Sequence, residues 1–455
     1  MAFDLVIKNG EIVTAQGVYR ADVGVRGERI AAIGESLQGR REIAAAGKYV
    51  TPGAVDVHVH LEMPIGDIAS TDDFYTGTRA AAFGGTTTII DFVEPEPEET
   101  LLEALASRRA CADDKVVIDY GLHMTLGPAE IPKLDQVAAA YAAGCASFKL
   151  YMAYDFRLND GEMLQALTAV HNTNGLPIVH AENWDVITML IAENVGNGRT
   201  TPHYHPRSRP AKMEGEAAGR IINLAEFVGT RLYVFHVSCG ETVDRIATAR
   251  QRGLPIYGET CPQYLLLDWS LYDRPGVLGA LPVCSPPIRA KEEQARLWQA
   301  LSRNHLQAVS TDHCPFTMAE KERGLGDYSQ IPGGVPSIEV RFTAVYSAGV
   351  RAGHLSLPQW VDVCCTTPAR LFGLPRKGQI AVGYDADLVI FDPEREMHVS
   401  PKTLHETAGW TLYEGMTLHG WPEMTISHGQ VIVEDGELVV GMGNGRFLRR
   451  GFGKM

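Results

Sequence analysis

The sequence predicts an α/β fold, a (β/α)8 barrel of the TIM type with a small β-sandwich domain formed by both termini. Three observations carry this reading. The middle of the chain alternates apolar, strand-like runs with amphipathic, helix-like stretches, the pattern of a parallel sheet. Eight such runs can be counted. Both ends have a different texture, with short alternating strands broken by Asn-Gly, Gly-Glu and Asp-Gly turns. The length of 455 residues suits this organisation, because α/β barrels run long as single units.

The elements follow in order. Within residues 1–51, DLVIKNGEIVT, ADVGVRGERIAAIG and REIAAAGKYVT alternate apolar and polar residues as half-buried strands do. The eight runs are AVDVHVH (54–60), TTTIIDF (86–92), VIDYGLHM (117–124), CASFKLY (145–151), LPIVHAE (176–182), RLYVFHVS (231–238), LPIYGET (254–260) and LQAVSTDH (306–313). ETLLEALASRRA and PKLDQVAAAYAAG are among the helical stretches between them. Strand-turn-strand texture returns in GQIAVGYDADLVIFDP and MTISHGQVIVEDGELV. The expected partition is a β domain from 1–51 plus 379–440, a barrel over 52–378, and a basic tail over 441–455 that reads as a solvated end.

Composition excludes several classes. A net charge of −14 argues against a nucleic-acid partner, which presents a basic face. Eight scattered Cys with no CxxC pair suggest a reducing compartment without disulfides. The N-terminus MAFDLVIKNGEIV has no signal-peptide pattern. No apolar stretch of about 20 residues exists to span a membrane. A cytoplasmic location is the expectation.

The chemistry lies where polar residues fall on the runs. His58 and His60 sit at the end of the first, Lys149 at the end of the fourth, His180 of the fifth, His236 of the sixth and Asp312 of the eighth. In a barrel the C-terminal strand ends converge on one face, where active sites are built. Imidazoles with a carboxylate suit a divalent ion such as zinc. Alternate residues of a strand share a face, so His58 and His60 can reach one ion. An HxH pair alone is a weak signal; four histidines and an aspartate at the same end of four strands are hard to explain by packing. His123 and His313 are assigned to hydrogen bonding. Lys149 has two readings. Its stem lies along the barrel with the head in water, or its amine has added carbon dioxide and become an anionic carbamate with two donor oxygens. The residues alone leave both open.

DVHVH (56–60), GGTTTIIDF (84–92), FKLYMAY (148–154), VHAEN (179–183), YVFHVSCGE (233–241), GETCPQYL (258–265), CSPPIR (284–289) and STDHCPF (310–316) together resemble the dihydropyrimidinase and D-hydantoinase family, in family order and over nearly the whole chain. The resemblance implies ring opening of 5,6-dihydropyrimidines or 5-substituted hydantoins, and a place in pyrimidine degradation. It implies two divalent ions, zinc first, with manganese or cobalt as alternatives. His58, His60 and Asp312 would hold one ion, His180 and His236 the other, and Lys149 carboxylated by carbon dioxide would bridge them. Asp312 would also move the proton. Tyr154 matches the tyrosine that polarises the substrate carbonyl, and Ser285 a residue whose main chain contacts the ring. Gly333 stands where the family usually has asparagine, in IPGGVP rather than IPNGGPG. A homo-oligomer, often a tetramer, is implied by resemblance alone.

The alternatives are a neighbouring cyclic amidohydrolase, such as an allantoinase or a dihydroorotase, and a non-catalytic relative that has lost its ligands. A dihydroorotase places an arginine two residues after the second ligand histidine; here that residue is Glu62, which argues against an anionic ring. All six candidate ligands are present, which argues against a non-catalytic relative. Leu61, Met63, Ile65, Tyr151, Met152 and Phe156 follow the candidate ligands, and they suggest an apolar mouth for a neutral ring.

Overall fold

Ala54–Asp56, Thr86–Val93, Asp119–Thr125, Ser147–Tyr151, Leu176–His180, Leu232–Val234, Ile256–Thr260 and Ala308–Val309 form one eight-stranded sheet in sequential order. These strands belong to a computed structural model that describes residues 2–452. The first and last strands meet through a parallel bridge between Val59 and His313. Asp312 N–H donates to His58 O at 2.9 Å, and His60 N–H to His313 O at 2.8 Å. The sheet is thereby closed into the expected barrel. Val55, Ile90, Phe92, Ile178, Tyr233 and Phe235 fill its interior, and Phe372 and Leu374 pack against them.

Helices cover the outside, and their ends are written in the sequence. Thr100 and Glu103 make a capping box at the start of Leu101–Ala112, and Asn159 and Glu162 make another before Asp160–Asn172. Ala211–Val228 ends on Gly229 in the left-handed conformation, which only glycine adopts without a Cβ penalty. The stretch PKLDQVAAAYAAG is only partly α-helical. Pro128–Gln136 is a 3-10 helix containing Pro132, and α-helix resumes at Val137–Ala142, because a proline lacks the N–H an α-helix interior needs.

The barrel seam is stitched by a buried polar cluster. Arg341, fully buried, donates from Nη1 to Val55 O at 3.2 Å and Val309 O at 2.8 Å, one on each side of the seam. Its Nε lies 3.5 Å from Asp56 Oδ2. Asp56 accepts from Thr311 Oγ1 at 2.7 Å and from the backbone N–H of Thr311 at 3.2 Å and His58 at 3.3 Å. Arg341→Met leaves the Asp56 carboxylate buried without its cation. It is expected to cost about 3–5 kcal/mol, the scale for removing one partner of a buried pair. A lowered thermal midpoint under fixed metal and protein concentration checks this; a shift equivalent to under about 1 kcal/mol would remove Arg341 from the seam.

Strands from both termini pair into a second, nine-stranded sheet. Phe3–Thr14 is its branch point. It pairs antiparallel with Gly17–Arg26, while its first half runs parallel to Gly39–Ala44 and its second half parallel to Tyr49–Pro52. Leu388–His398 joins from the C-terminal side by pairing with Tyr49–Pro52. Leu5, Ile7, Val23, Val25, Leu388, Ile390 and Ile426 form this sheet's own core. The layers expected of a sandwich are hydrogen-bonded as one continuous sheet through that branch.

The basic tail is a correction to the solvated-end reading. Leu448 N–H donates to Tyr120 O at 2.7 Å, and Arg446 N–H donates to Asp119 Oδ1 at 3.0 Å. Arg450 is buried and donates to Ser147 Oγ at 2.9 Å and Phe372 O at 3.2 Å. Charge on short terminal segments suggests solvation, but here the guanidinium groups of Arg449 and Arg450 find barrel acceptors, and that of Arg446 pairs with Glu28 of the terminal sheet. Residues 453–455 lie outside the described residues. Among the described residues all eight cysteines are free, and no helix is long and apolar enough to cross a membrane.

Candidate metal centre and substrate cavity

The chain leaves the barrel ladder just before several of the candidate residues. His58 and His60 follow Ala54–Asp56, His236 follows Leu232–Val234, and Asp312 follows Ala308–Val309. Lys149 and His180 lie within their strands. His236 has φ 39°, Asp312 φ 53° and Tyr154 φ 74°. Positive φ is uncommon for residues with a Cβ and clusters at functional sites. The turns aim these three side chains inward.

All six predicted metal residues converge. Nε2 of His58 lies 3.2 Å from Nε2 of His60 and 3.0 Å from Asp312 Oδ1. His60 Nε2 is 3.2 Å from the same oxygen. His180 Nδ1 faces His236 Nε2 at 2.9 Å. Potential ligand atoms of His58, His236 and Asp312 lie within 4.8 Å of one another. Buried Nδ1 atoms of His60 and His236 have no hydrogen-bond partner. Imidazole nitrogens and a carboxylate turned on one another, with few other partners, are a donor set that fits divalent cations.

The electrostatics of three of the four imidazoles agree with that fit: burial lowers His60, His180 and His236, whereas His58, which burial would also lower, is raised by Asp312 and Glu259. Burial pushes His60 down to about 4 despite the nearby Asp312, so its imidazole is neutral and has a lone pair to offer. Burial alone would raise Asp312, but His58 and His60 hold it well below the ordinary carboxylate range. Lys149 is buried with Nζ above three rings, 4.2 Å from the centre of Phe235, 4.9 Å from Tyr151 and 5.4 Å from Phe92. Burial pushes its amine down to about 7.

Several supporting residues escaped the sequence reading. Glu259, on the seventh strand, accepts from or shares a proton with His58 Nδ1 at 2.8 Å and accepts from Tyr233 Oη at 2.9 Å. It fixes which His58 nitrogen faces the centre, the role carboxylates play behind metal-binding imidazoles. Glu182 lies 2.9 Å from His180 Nε2 and is paired with Arg209. Burial would raise Glu182, but Arg209 and His180 bring it down to about 2. His123 and His313 are hydrogen-bonded, as expected of them. His123 bridges Ser147 Oγ at 2.6 Å and Val57 O at 2.9 Å, and His313 Nε2 meets Asp72 Oδ2 at 3.1 Å.

A cavity of about 630 Å³ opens above the cluster. Tyr154, Ser285 and Gly333 line it together with the six. Burial pushes the Tyr154 phenol up to about 12, and Ser285 hydrogen-bonds it, so the hydroxyl keeps its proton. Met63, Ile65, Phe156, Trp184 and Ile191 supply apolar wall. Leu61 and Met152 do not reach the cavity. Leu61 is fully buried, and a Cβ at Gly77 would come within 2.3 Å of it. Glu62 also turns away. It accepts from Phe74 N–H at 3.1 Å and from Lys115 Nζ at 3.3 Å, capping a helix outside the cavity. Its charge therefore does not act on the cavity as the sequence suggested.

Barrel, terminal sheet and inward-turned histidines define a (β/α)8 protein with a metal-type donor cluster, and comparison with known proteins gives the class. The amidohydrolase family profile matches residues 49–432, and the N-terminal domain of the urease alpha-subunit matches residues 1–51. The chain belongs to the amidohydrolase family, in its hydantoinase and dihydropyrimidinase branch, and is a hydrolase. It is 44% identical over 452 residues to the D-hydantoinase of Geobacillus stearothermophilus, covering 98% of this chain and 96% of that one. The solved D-hydantoinase from Bacillus sp. AR9 superposes with a TM-score of 0.96 at 45% identity, covering 99% of this chain and all of that one. Dihydropyrimidinase from Brevibacillus agri NCHU1002 superposes at 0.95 with 43% identity and 99% of each chain covered.

Proposed function

We propose that this protein opens a neutral cyclic amide, a 5,6-dihydropyrimidine or a 5-substituted hydantoin, by hydrolysis. The observation that carries this is the convergence of His58, His60, Lys149, His180, His236 and Asp312 beneath a partly apolar cavity. Family membership and relatives named D-hydantoinase and dihydropyrimidinase support it. In this reading His58, His60 and Asp312 would hold one divalent ion and His180 and His236 a second, with Lys149, once carboxylated by carbon dioxide, supplying the shared anionic oxygens. Zinc suits the nitrogen-rich set best. The low amine pKa of about 7 supports the modification, because the neutral amine is the form that attacks carbon dioxide. The ions, when bound, supply Lewis acidity and a water activated at neutral pH.

The protein's own groups do the rest. Asp312 accepts the proton from the attacking water and delivers it to the ring nitrogen as the C–N bond breaks. The ring opens without losing either end: the amide carbon takes the hydroxyl and becomes a carboxylic acid, which releases its proton to solvent as the carboxylate, and the nitrogen, with the proton from Asp312, becomes the NH2 of a carbamoyl group. Tyr154 donates a hydrogen bond to the carbonyl oxygen as charge builds on it, a role worth about 3–4 kcal/mol. Main-chain groups at Ser285 and Gly333 hold the ring edge. The proposal includes a cytoplasmic homo-oligomer, tetrameric by resemblance, and the domain partition at 1–51 with 379–440, 52–378 and 441–455.

Charge supports a neutral ring. Arg209 lines the cavity, but its guanidinium is held by Glu182, so a substrate carboxylate would meet no free partner and lose its hydration without return. Dihydrouracil, dihydrothymine and 5-substituted hydantoins are therefore expected to be hydrolysed, and dihydroorotate poorly or not at all. The test is kcat/KM on each, with allantoin included, using one metal-loaded sample. If dihydroorotate, or allantoin with its polar 5-ureido group, exceeded every dihydropyrimidine and every hydantoin with an apolar 5-substituent, the substrate assignment would fall.

A further inference from the structure

Lys321 lies outside the metal cluster, on the short helix Met318–Glu322 that follows the eighth strand. It is fully buried, and Nζ donates to Val283 O and to Pro332 O, each at 2.7 Å. The rings of Phe316 and Trp410 flank the ammonium at about 6 Å. Burial pushes it down to about 7, with the Cys284 and Cys314 thiols acting the other way. A buried ammonium whose direct bonds go to carbonyl oxygens is costly to keep. What it holds is therefore informative.

The two carbonyls belong to the two segments on which the ring is proposed to rest. Val283 lies two residues before Ser285, and Pro332 immediately precedes Gly333. Val283 O also accepts from Gly334 N–H at 3.0 Å. Gly334 has φ 155°, and a Cβ there would lie 2.1 Å from Cys314 O. Gly333 has no such bracing. A Cβ at that position would meet nothing closer than Ser285 Oγ, at 3.8 Å. Glycine at 333 leaves the backbone free to move, unless the residues on either side are tied.

We propose that Lys321 is a positioning residue for substrate binding, a clasp that ties the Val283–Ser285 segment to the Pro332–Gly334 segment and sets the gap in which the ring edge sits. This rests on the proposed reading that Ser285 and Gly333 contact the ring. The clasp touches neither the reacting atoms nor the metal cluster. Its loss should weaken ground state and transition state alike, which raises KM and spares kcat.

The test is Lys321→Met, which keeps length and apolar bulk but cannot donate. With the neutral ring the wild type hydrolyses best, KM is expected to rise about tenfold while kcat stays within about threefold. Metal content should stay at the wild-type level. Lys321→Gln, which keeps one amide donor, should fall between the two, and it carries the test if the methionine variant does not fold. Amide hydrogen exchange at Gly334 should quicken in both variants. A folded variant with unchanged KM overturns the clasp, as does one that loses kcat and metal together. If the wild type opens no cyclic amide, the substrate reading fails and the clasp with it. That outcome is distinguishable, because it appears before any variant is measured.

Discussion

Lys149→Ala is expected to purify folded, to hold little metal, and to lose kcat by at least about 10³-fold, the upper scale for deleting one group that stabilises transition-state charge. Folding should survive because Lys149, whose Nζ lies over the rings of Phe92, Tyr151 and Phe235, borders the cavity, so truncation enlarges a space that already exists. Metal should not survive. The remaining protein donors are neutral imidazoles and one carboxylate, Asp312, too little negative charge to hold two dications close together. Acetate or propionate added with metal should restore part of the rate, because the space left by the side chain admits the missing oxygens. The measurements are metal per chain by elemental analysis and kcat with and without the short acid. An alanine variant with unchanged metal content would rule out the bridge. One that lost metal but gained nothing from acetate at any concentration would count against a carbamate and leave a structural role for the lysine.

The barrel and the six clustered residues were legible because their signal is periodic. Apolar runs at barrel spacing set the strands, and polar residues at their ends had to meet if the sheet closed. What closes it was not legible. Arg341 reaches the seam from a helix far along the chain, and nothing around it in sequence marks it as other than a surface arginine. Glu259 was within reach, since a carboxylate ending the seventh apolar run is as anomalous as the histidines ending others. Arg209 follows a short segment, His205–Ser208, with no periodic pattern, so its pairing with Glu182 could not be inferred. Glu62 shows the limit of spacing arguments. Two residues beyond His60 it was expected to face the substrate, yet φ 48° turns it toward Lys115. Side-chain direction in a loop depends on backbone angles that spacing does not encode. The tail was misread for a related reason, because burial of Arg450 depends on acceptors contributed by Ser147 and Phe372, both distant in sequence.

Asp312→Asn separates metal binding from proton transfer. The amide keeps the size and one oxygen donor but cannot take a proton from water at neutral pH. Asp312 Oδ1 lies 3.0 Å from His58 Nε2 and 3.2 Å from His60 Nε2, so the oxygen proposed to help hold an ion has a counterpart in asparagine. Its backbone is held independently of the side chain, through the N–H bond to His58 O at 2.9 Å and the neighbouring Thr311–Asp56 bonds. The substituted residue should therefore stay in place despite its positive φ, a conformation asparagine tolerates. kcat is expected to fall by at least about 10²-fold, the lower range for a general base, while metal per chain falls less than in Lys149→Ala. A second signature distinguishes proton transfer from simple loss of metal: titrating the variant with excess zinc should restore occupancy without restoring rate. If saturating metal returned kcat to near the wild-type value, Asp312 would be a ligand alone, and the proton would have to travel by another group.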